Sequence, residues 1–387
     1  MSTDTLRSAD LDALATLLRQ QDARKLDLVV PATKMQMTDG VLYVQDAMQE
    51  ISEDGVTSRT AALKPGNVFD EGLAEKLKVP VGYLKRLHAE RPDLYDANVN
   101  GWLHGNDGMG FGPDPRSFLT RAFAAPNDAT DGYDGFARAF LSDTFRMIDH
   151  FDVLAASLDG VRKAGVAVDI TQCDLTERRM YVKVSAPQVT ALAPELLRGY
   201  RSPFTGQTGE ENPVVFAGFI ISNSEVGNGA FSITPSMTVQ VCKNGLTITK
   251  DAVRAVHLGA RLDEGVVKWS EDTMLKTLEL ITLKASDAVA TFLDVDYMTA
   301  QIRALEEQAG KPITGALPDV VKAVGRKMLF TEDQTDGILD HFLRGGQFTA
   351  GGVLQAVTSF AQTLDDADEA YGLEEQGIKA MEYAASL

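Results

Sequence analysis

Three features of this 387-residue sequence predict an α+β fold, with a central, mostly antiparallel sheet crossed by a long helix and helical regions at both ends. Alternating or continuous apolar runs gather between residues 166 and 248, joined by turn-rich segments, as antiparallel strands require. One long amphipathic stripe follows them, and shorter helical patterns broken by Pro or Gly occupy the two ends. At roughly 100 to 200 residues per domain the length allows two or three folding units. The expected division is an N-terminal hairpin with short helices over 1–112, the central sheet and long helix over 113–310, and a small acidic helical region over 311–387.

From the N-terminus, Leu11, Leu14, Leu17 and Leu18 share one helical face behind a candidate Ser8 N-cap, which predicts a helix over 8–21. Two alternating runs flank Asp39-Gly40, a dipeptide suited to the φ > 0 positions of a type I′ turn, so a hairpin is expected with strands near 33–38 and 41–46. Residues 69–103 read as three short helices, with Pro80 and Pro92 at helix starts. The segments 105–115 and 126–135 carry too much Gly and Pro for regular structure and read as loops.

Strands are expected in 166–171, 178–186, 214–222 and 230–241, with Asn223–Gly229 as a hairpin loop and a short LTIT strand after the CKNG turn. Ser270 is the expected cap of the long helix, whose apolar stripe is Met274, Leu278, Ile281, Ala285, Ala288 and Phe292. From Leu317 shorter helices follow, interrupted at Gly345-Gly346 and Gly351-Gly352.

Composition bounds the function. With 37 Lys and Arg against 55 Asp and Glu the net charge is −18, which excludes a uniformly basic nucleic-acid coat. Residues 331–387 hold 11 acidic and 2 basic side chains, a net −9, so the C-terminal stretch carries half the total. Crowded Asp365, Asp366, Asp368, Glu369, Glu374 and Glu375 read there as a solvated, solubilising stretch or as an internal competitor for a basic groove. Two cysteines, Cys173 and Cys242, argue against a disulfide framework and for a reducing compartment. No signal-peptide pattern and no run of about 18 apolar residues occurs, so a cytoplasmic protein with no membrane partner is expected.

No phosphate-binding G-x-x-x-x-G-K-[ST], no H-E-x-x-H, no C-x-x-C and no G-x-S-x-G is present. The five histidines, His88, His104, His150, His257 and His341, form no i, i+4 pair, so neither a metal nor another cofactor is expected. Asp149-His150 has the makings of a general-base pair without a nucleophile, and a structural His is the simpler reading. No catalytic residue is assigned, and the balance leans against an enzyme.

Two patterns point to nucleic acid. In LAEKLKVPVGYLKRL (73–87) Leu73, Ala74 and Leu77 would bury a first helix, Val79-Pro80 turn the chain, and Leu84 and Leu87 bury a second. Tyr83, Lys85 and Arg86 are then the candidate DNA contacts, although Lys78 stands where such turns favour Gly. Separately, Arg178, Arg179, Lys183, Lys243, Lys250, Arg254 and His257 surround the expected sheet and form a candidate track for single-stranded DNA.

LAEKLKVPVGYLKRL with NVNGWL, then RAFLSDTFRMIDHFDVL, TERRMYVKV, ISNSEVGNGAFSITPSMTVQVCKNGL, AVHLG and FTAGGVLQAVTSFAQTLDDADEAYGLE, occur in an order that resembles a family of uncharacterised phage- and plasmid-encoded proteins, known as a domain of unknown function. The resemblance spans about residues 65–375 and implies a mobile-element protein working in a bacterial cytoplasm. Hairpins followed by a crossing helix are also the plan of phage single-strand annealing proteins, an architectural analogy only. The expectation is therefore a non-catalytic, DNA-associated protein, an oligomeric single-strand binder or annealer. The alternative is a regulatory protein that meets duplex DNA or a protein partner through the helix-turn-helix-like segment.

Overall fold

The computed structural model describes residues 5–52, 55–105, 110–126, 132–145, 148–241, 245–255 and 271–387. Two sheets with helices packed on them make an α+β architecture. The first sheet runs β2 (Lys25–Pro31), β6 (Ser117–Ala124), β7 (Gly135–Ser142), β5 (Gly55–Pro65), β4 (Val41–Ser52), β3 (Met35–Thr38). The second runs β1 (Leu6–Ala9), β8 (Asp169–Leu175), β9 (Met180–Leu192), β10 (Val214–Asn223), β11 (Phe231–Val239), β12 (Gly245–Thr247), with β13 (Val253–Ala255) also on β11. Among the described pairings β5–β7 is parallel and the rest are antiparallel.

Local chemistry explains the elements. Asp39 (φ 53) and Gly40 (φ 73) turn β3 into β4 with both central residues left-handed, as expected from the dipeptide. The first helix, α1 (Leu11–Ala23), starts later than Ser8: Asp10 is its N-cap and accepts from the Ala13 N–H, while Ser8 lies in β1. Asp outcompetes Ser here because Ser8 is drawn into the edge pairing, where its N–H donates to Asp174.

Strands β6 and β7 have no clear alternation because both of their faces are covered, and they join the sheet begun by residues 25–65. β1 and α1 in turn belong with the second sheet. Sheet membership thus crosses residue 112.

Helix α6 (Glu271–Phe292) buries Ile281, Ala285, Ala288 and Phe292; Ser270 and the side chain of Met274 lie outside what is described. It crosses α5 (His150–Ala164) at Gly160, where a Cβ would strike the Thr282 carbonyl and the Ala285 methyl. The C-terminal region comprises α7 (Val295–Ala309), α8 (Leu317–Met328), α9 (Glu332–Gly345), α10 (Ala350–Ala361) and α11 (Ala367–Ala384). Gly346 (φ 69) ends α9, but Gly351 and Gly352 lie inside the first turn of α10, where the backbone of Gln347 leaves no room for a Cβ at 352. Among the described residues no helix is long and apolar enough to cross a membrane.

The acidic C-terminal stretch is mostly structure. α11 packs Tyr371 face to face on Tyr181 of β9, with ring centroids 3.9 Å apart. One turn further on, Glu374, 2% exposed, receives Lys183 Nζ at 2.8 Å. Asp368, at the start of the same helix face, accepts from the Tyr181 hydroxyl at 2.9 Å. Leu373, Ala380, Met381 and Ala384 fill the main core behind them.

Candidate functional site

Three helices, α2 (Asn67–Leu77), α3 (Val81–Glu90) and α4 (Pro92–His104), sit on the first sheet. Phe69 meets Phe140 of β7 edge-on at 5.4 Å, and Phe118 of β6 lies 4.6 Å from the same ring. Gly72 lets α2 lie directly on the Phe140 carbonyl, where any side chain would collide. The geometry of α2 relative to the sheet is therefore fixed by one aromatic cluster and one glycine.

The turn between α2 and α3 is a left-handed one. Lys78 adopts φ 57, ψ 40, and its N–H returns to the Ala74 and Glu75 carbonyls. Sequence patterning treats Lys78 as an obstacle to a helix-turn-helix; the chain instead accepts the left-handed conformation without glycine, at a cost of roughly 1 to 2 kcal/mol. Arg116 offsets part of that by donating to the Lys76 carbonyl at the helix end, at 3.0 Å. Leu84 and Leu87 are buried as expected.

A buried polar hub then ties the three helices together. Asp70 of α2, 2% exposed, accepts from the Tyr95 hydroxyl of α4 at 2.6 Å and pairs with His88 Nδ1 of α3 at 2.6 Å. His88 and Tyr95 stack at 4.3 Å. The hydrogen bond to Asp70, against the opposing effect of burial, raises the His88 imidazole above its ordinary value. A histidine raised on folding lends stability fully below its unfolded value near 6.5 and loses it as pH rises through the folded value. We predict that the His88 ring titrates with a midpoint above 6.5 by NMR and that Asp70→Asn lowers it. A midpoint at or below 6.5 in the native chain contradicts the hub.

On α3 the candidate contacts divide. Tyr83 and Lys85 are two residues apart, so about 200° of helical rotation places them on opposite flanks. Tyr83 is 51% exposed. Arg86 is exposed and, among the described residues, pairs along its own helix with Glu90 at 2.9 Å. Gly82, beside Arg86 on the outer face, has open space around it. Lys85 turns the other way and donates to Glu71 Oε1 at 2.7 Å.

That same oxygen receives Arg178 at 2.5 Å. Lys85 and Arg178, assigned from sequence to two different interfaces, thus meet on one carboxylate and line one cleft of about 450 Å³, together with Arg7, Asn67 and residues 365–368 at the start of α11. Burial would raise the Glu71 carboxyl, but the Lys85 and Arg178 hydrogen bonds hold it below its usual value.

Of the other central cations, Lys183 and Arg179 are engaged. Lys183 lies under α11 with Glu374 and over the Tyr371 ring. Arg179 passes over the Tyr181 ring through space that Gly229 (φ 123) leaves open. For Lys250 and Arg254 the backbone is described, in a short turn at 249–251 and in β13; Lys243 and His257 fall outside the described residues. Arg162 and Lys163 share Asp159.

Where the two sheets meet there is a buried charge knot that sequence reading did not find. Glu225 binds Arg138 Nη1 at 2.6 Å, accepts the His150 backbone N–H at 2.5 Å, and lies 3.5 Å from Arg121. Arg121 also reaches Asp149 at 2.9 Å and Asp27 at 3.0 Å. Burial opposes ionisation of Glu225, yet the positive field of His150, Arg138 and Arg121 holds its carboxyl down to about 2. Asp149 is directed to Lys25 and Arg121, and His150 to Asn223, so the adjacent pair is divided between partners. Among the described residues no group of three metal-ligating side chains occurs.

Comparison of the chain with family models, with curated proteins and with solved structures gives no match in any of the three.

Proposed function

We propose that this chain is a non-catalytic, DNA-associated protein that meets duplex DNA through α3. The observation that carries the reading is the helix, left-handed turn, helix arrangement at Lys78, with the outer face of the second helix (Val81, Gly82, Tyr83, Arg86) open. Burial of Lys183 under α11, against Glu374, favours this helix over the central sheet as the contact surface. The resemblance to phage- and plasmid-encoded proteins supplies a context in which DNA is at hand.

In the proposed mode α3 enters the major groove with Arg86 to phosphate or a base edge and Tyr83 against the backbone. A second copy would supply the second α3, since such helices pair on half-sites one turn apart. A net charge of −18 opposes the approach, so binding depends on a few local contacts and weakens steeply with salt.

The test is anisotropy of labelled duplex and single-stranded forms of one sequence over a salt series. Duplex is expected to bind more tightly, and Arg86→Ala to cost about tenfold or more, the value of a lost base or phosphate contact. Equal or tighter binding of the single strand, insensitive to Arg86→Ala, overturns the proposal and returns attention to the central sheet.

A further inference from the structure

We propose that the cleft between the first turn of α2, the β8–β9 turn and the α10–α11 loop is a binding site for a free nucleoside monophosphate. The inference stands apart from the DNA reading, because it uses neither Tyr83 nor Arg86.

Three cations from distant parts of the chain converge there: Arg7 of β1, Lys85 of α3 and Arg178 of the β8–β9 turn. They are held in place. Glu71 Oε1 fixes both Lys85 and Arg178, while Arg7 is anchored by Asp174 at 3.1 Å and by the Leu364 carbonyl at 3.0 Å. A guanidinium has five donors, and Arg178 places one on Glu71, so most of its capacity is left for an oxyanion. Cations pre-positioned by a neighbouring carboxylate lose little entropy on binding, which favours a compact dianion such as a phosphomonoester.

The opposite charge in the same cleft narrows the ligand. Glu177, Asp365, Asp366 and Asp368 line it beside Thr5, Asn67 and Thr176. Asp366 is occupied in capping α11, through the Glu369 N–H, and Asp368 accepts from Tyr181. Of the three aspartates, Asp365 is the one left, among the described residues, to a ligand hydroxyl, the role acidic side chains play toward a ribose. A bare phosphate would meet the carboxylates as repulsion alone; a ligand with a phosphate at one end and a sugar diol at the other satisfies both kinds of group. At about 450 Å³ the cleft falls within the range for one small molecule.

The experiment is calorimetric titration of the full chain with AMP, GMP, CMP and UMP, with inorganic phosphate and adenosine as separate arms, and with a 5′-phosphorylated oligonucleotide as competitor. At least one nucleotide is expected to bind tenfold or more tightly than phosphate, and adenosine more weakly still. Arg178→Gln is expected to weaken the nucleotide about tenfold. Asp365→Asn, an exposed-loop change that leaves the fold intact, should weaken the nucleotide while strengthening phosphate, a reversal that a merely structural role would not produce. No heat with any nucleotide at millimolar concentration overturns the proposal, as does phosphate binding as tightly as nucleotide with no response to Asp365→Asn. Displacement by the oligonucleotide far below the mononucleotide concentration also overturns it, in favour of a strand-end site.

Discussion

Replacing Glu225 with Ala is expected to lower stability by about 3–5 kcal/mol, because it leaves Arg138, nearly inaccessible, without its buried counter-charge and takes one of three carboxylates from Arg121. The knot joins β6 and β7 of the first sheet to the end of β10 and the start of α5, so the loss falls on the contact between the two halves of the fold. Urea titration followed by circular dichroism reads it as a lower midpoint, or as a second transition if the halves separate. Since the Glu225 carboxyl is held near 2, its stabilisation is complete above the ordinary carboxylate range, declines progressively as pH falls below that range, and is gone below about 2. The difference between native chain and variant should therefore shrink as pH falls from about 5 towards 2. A midpoint unchanged by Glu225→Ala would mean that the knot contributes nothing to holding the sheets together.

Truncation after Thr363 is expected to abolish the native state. It removes α11, and with it Tyr371, Leu373 and Met381 from the core at about 1.5–3 kcal/mol each, a sum comparable to the 5–15 kcal/mol that holds a typical domain. It also strips Lys183 of Glu374. The truncated chain should show lost near-ultraviolet dichroism and no cooperative urea transition. A truncated protein that unfolds at the native midpoint would show instead that the acidic stretch is a removable, solvating tail.

How much of this was legible from sequence depends on what each element faces. The α6 stripe, the Asp39-Gly40 hairpin and the apolar β10 were readable because each obeys one local rule: period, turn chemistry or continuous burial. β6 and β7 were not, because Arg121 and Arg138 interrupt their apolar runs, and only the fold reveals that these two arginines are buried against Glu225. A helical C-terminal region was expected, but the burial of α11 was hidden by its charge. Asp368, Tyr371 and Glu374 lie at helical spacing, but sequence cannot show that Lys183, 191 positions away, waits beneath Glu374.

The site divided in the same way. Burial of Leu84 and Leu87 and the helix boundaries around Val79-Pro80 followed from spacing. The left-handed Lys78 did not, since its tolerance rests on Arg116 and on the Asp70–His88–Tyr95 hub, assembled from three helices. Grouping Tyr83 with Lys85 overlooked helical rotation; with it, Lys85 belongs to the cleft and Tyr83 to the outer face.

Whether α3 reads duplex DNA is most directly tested by selection from a pool of random duplexes at low salt, run in parallel with the native chain and with Gly82→Glu. Gly82 has open space around it, so the substitution leaves the fold undisturbed while placing a carboxylate where a groove would lie. The account predicts that the native chain enriches a defined duplex site within a few rounds and that the Gly82→Glu chain, equally folded, enriches none. Failure of the native chain to enrich any sequence, or equal enrichment by Gly82→Glu, would contradict it.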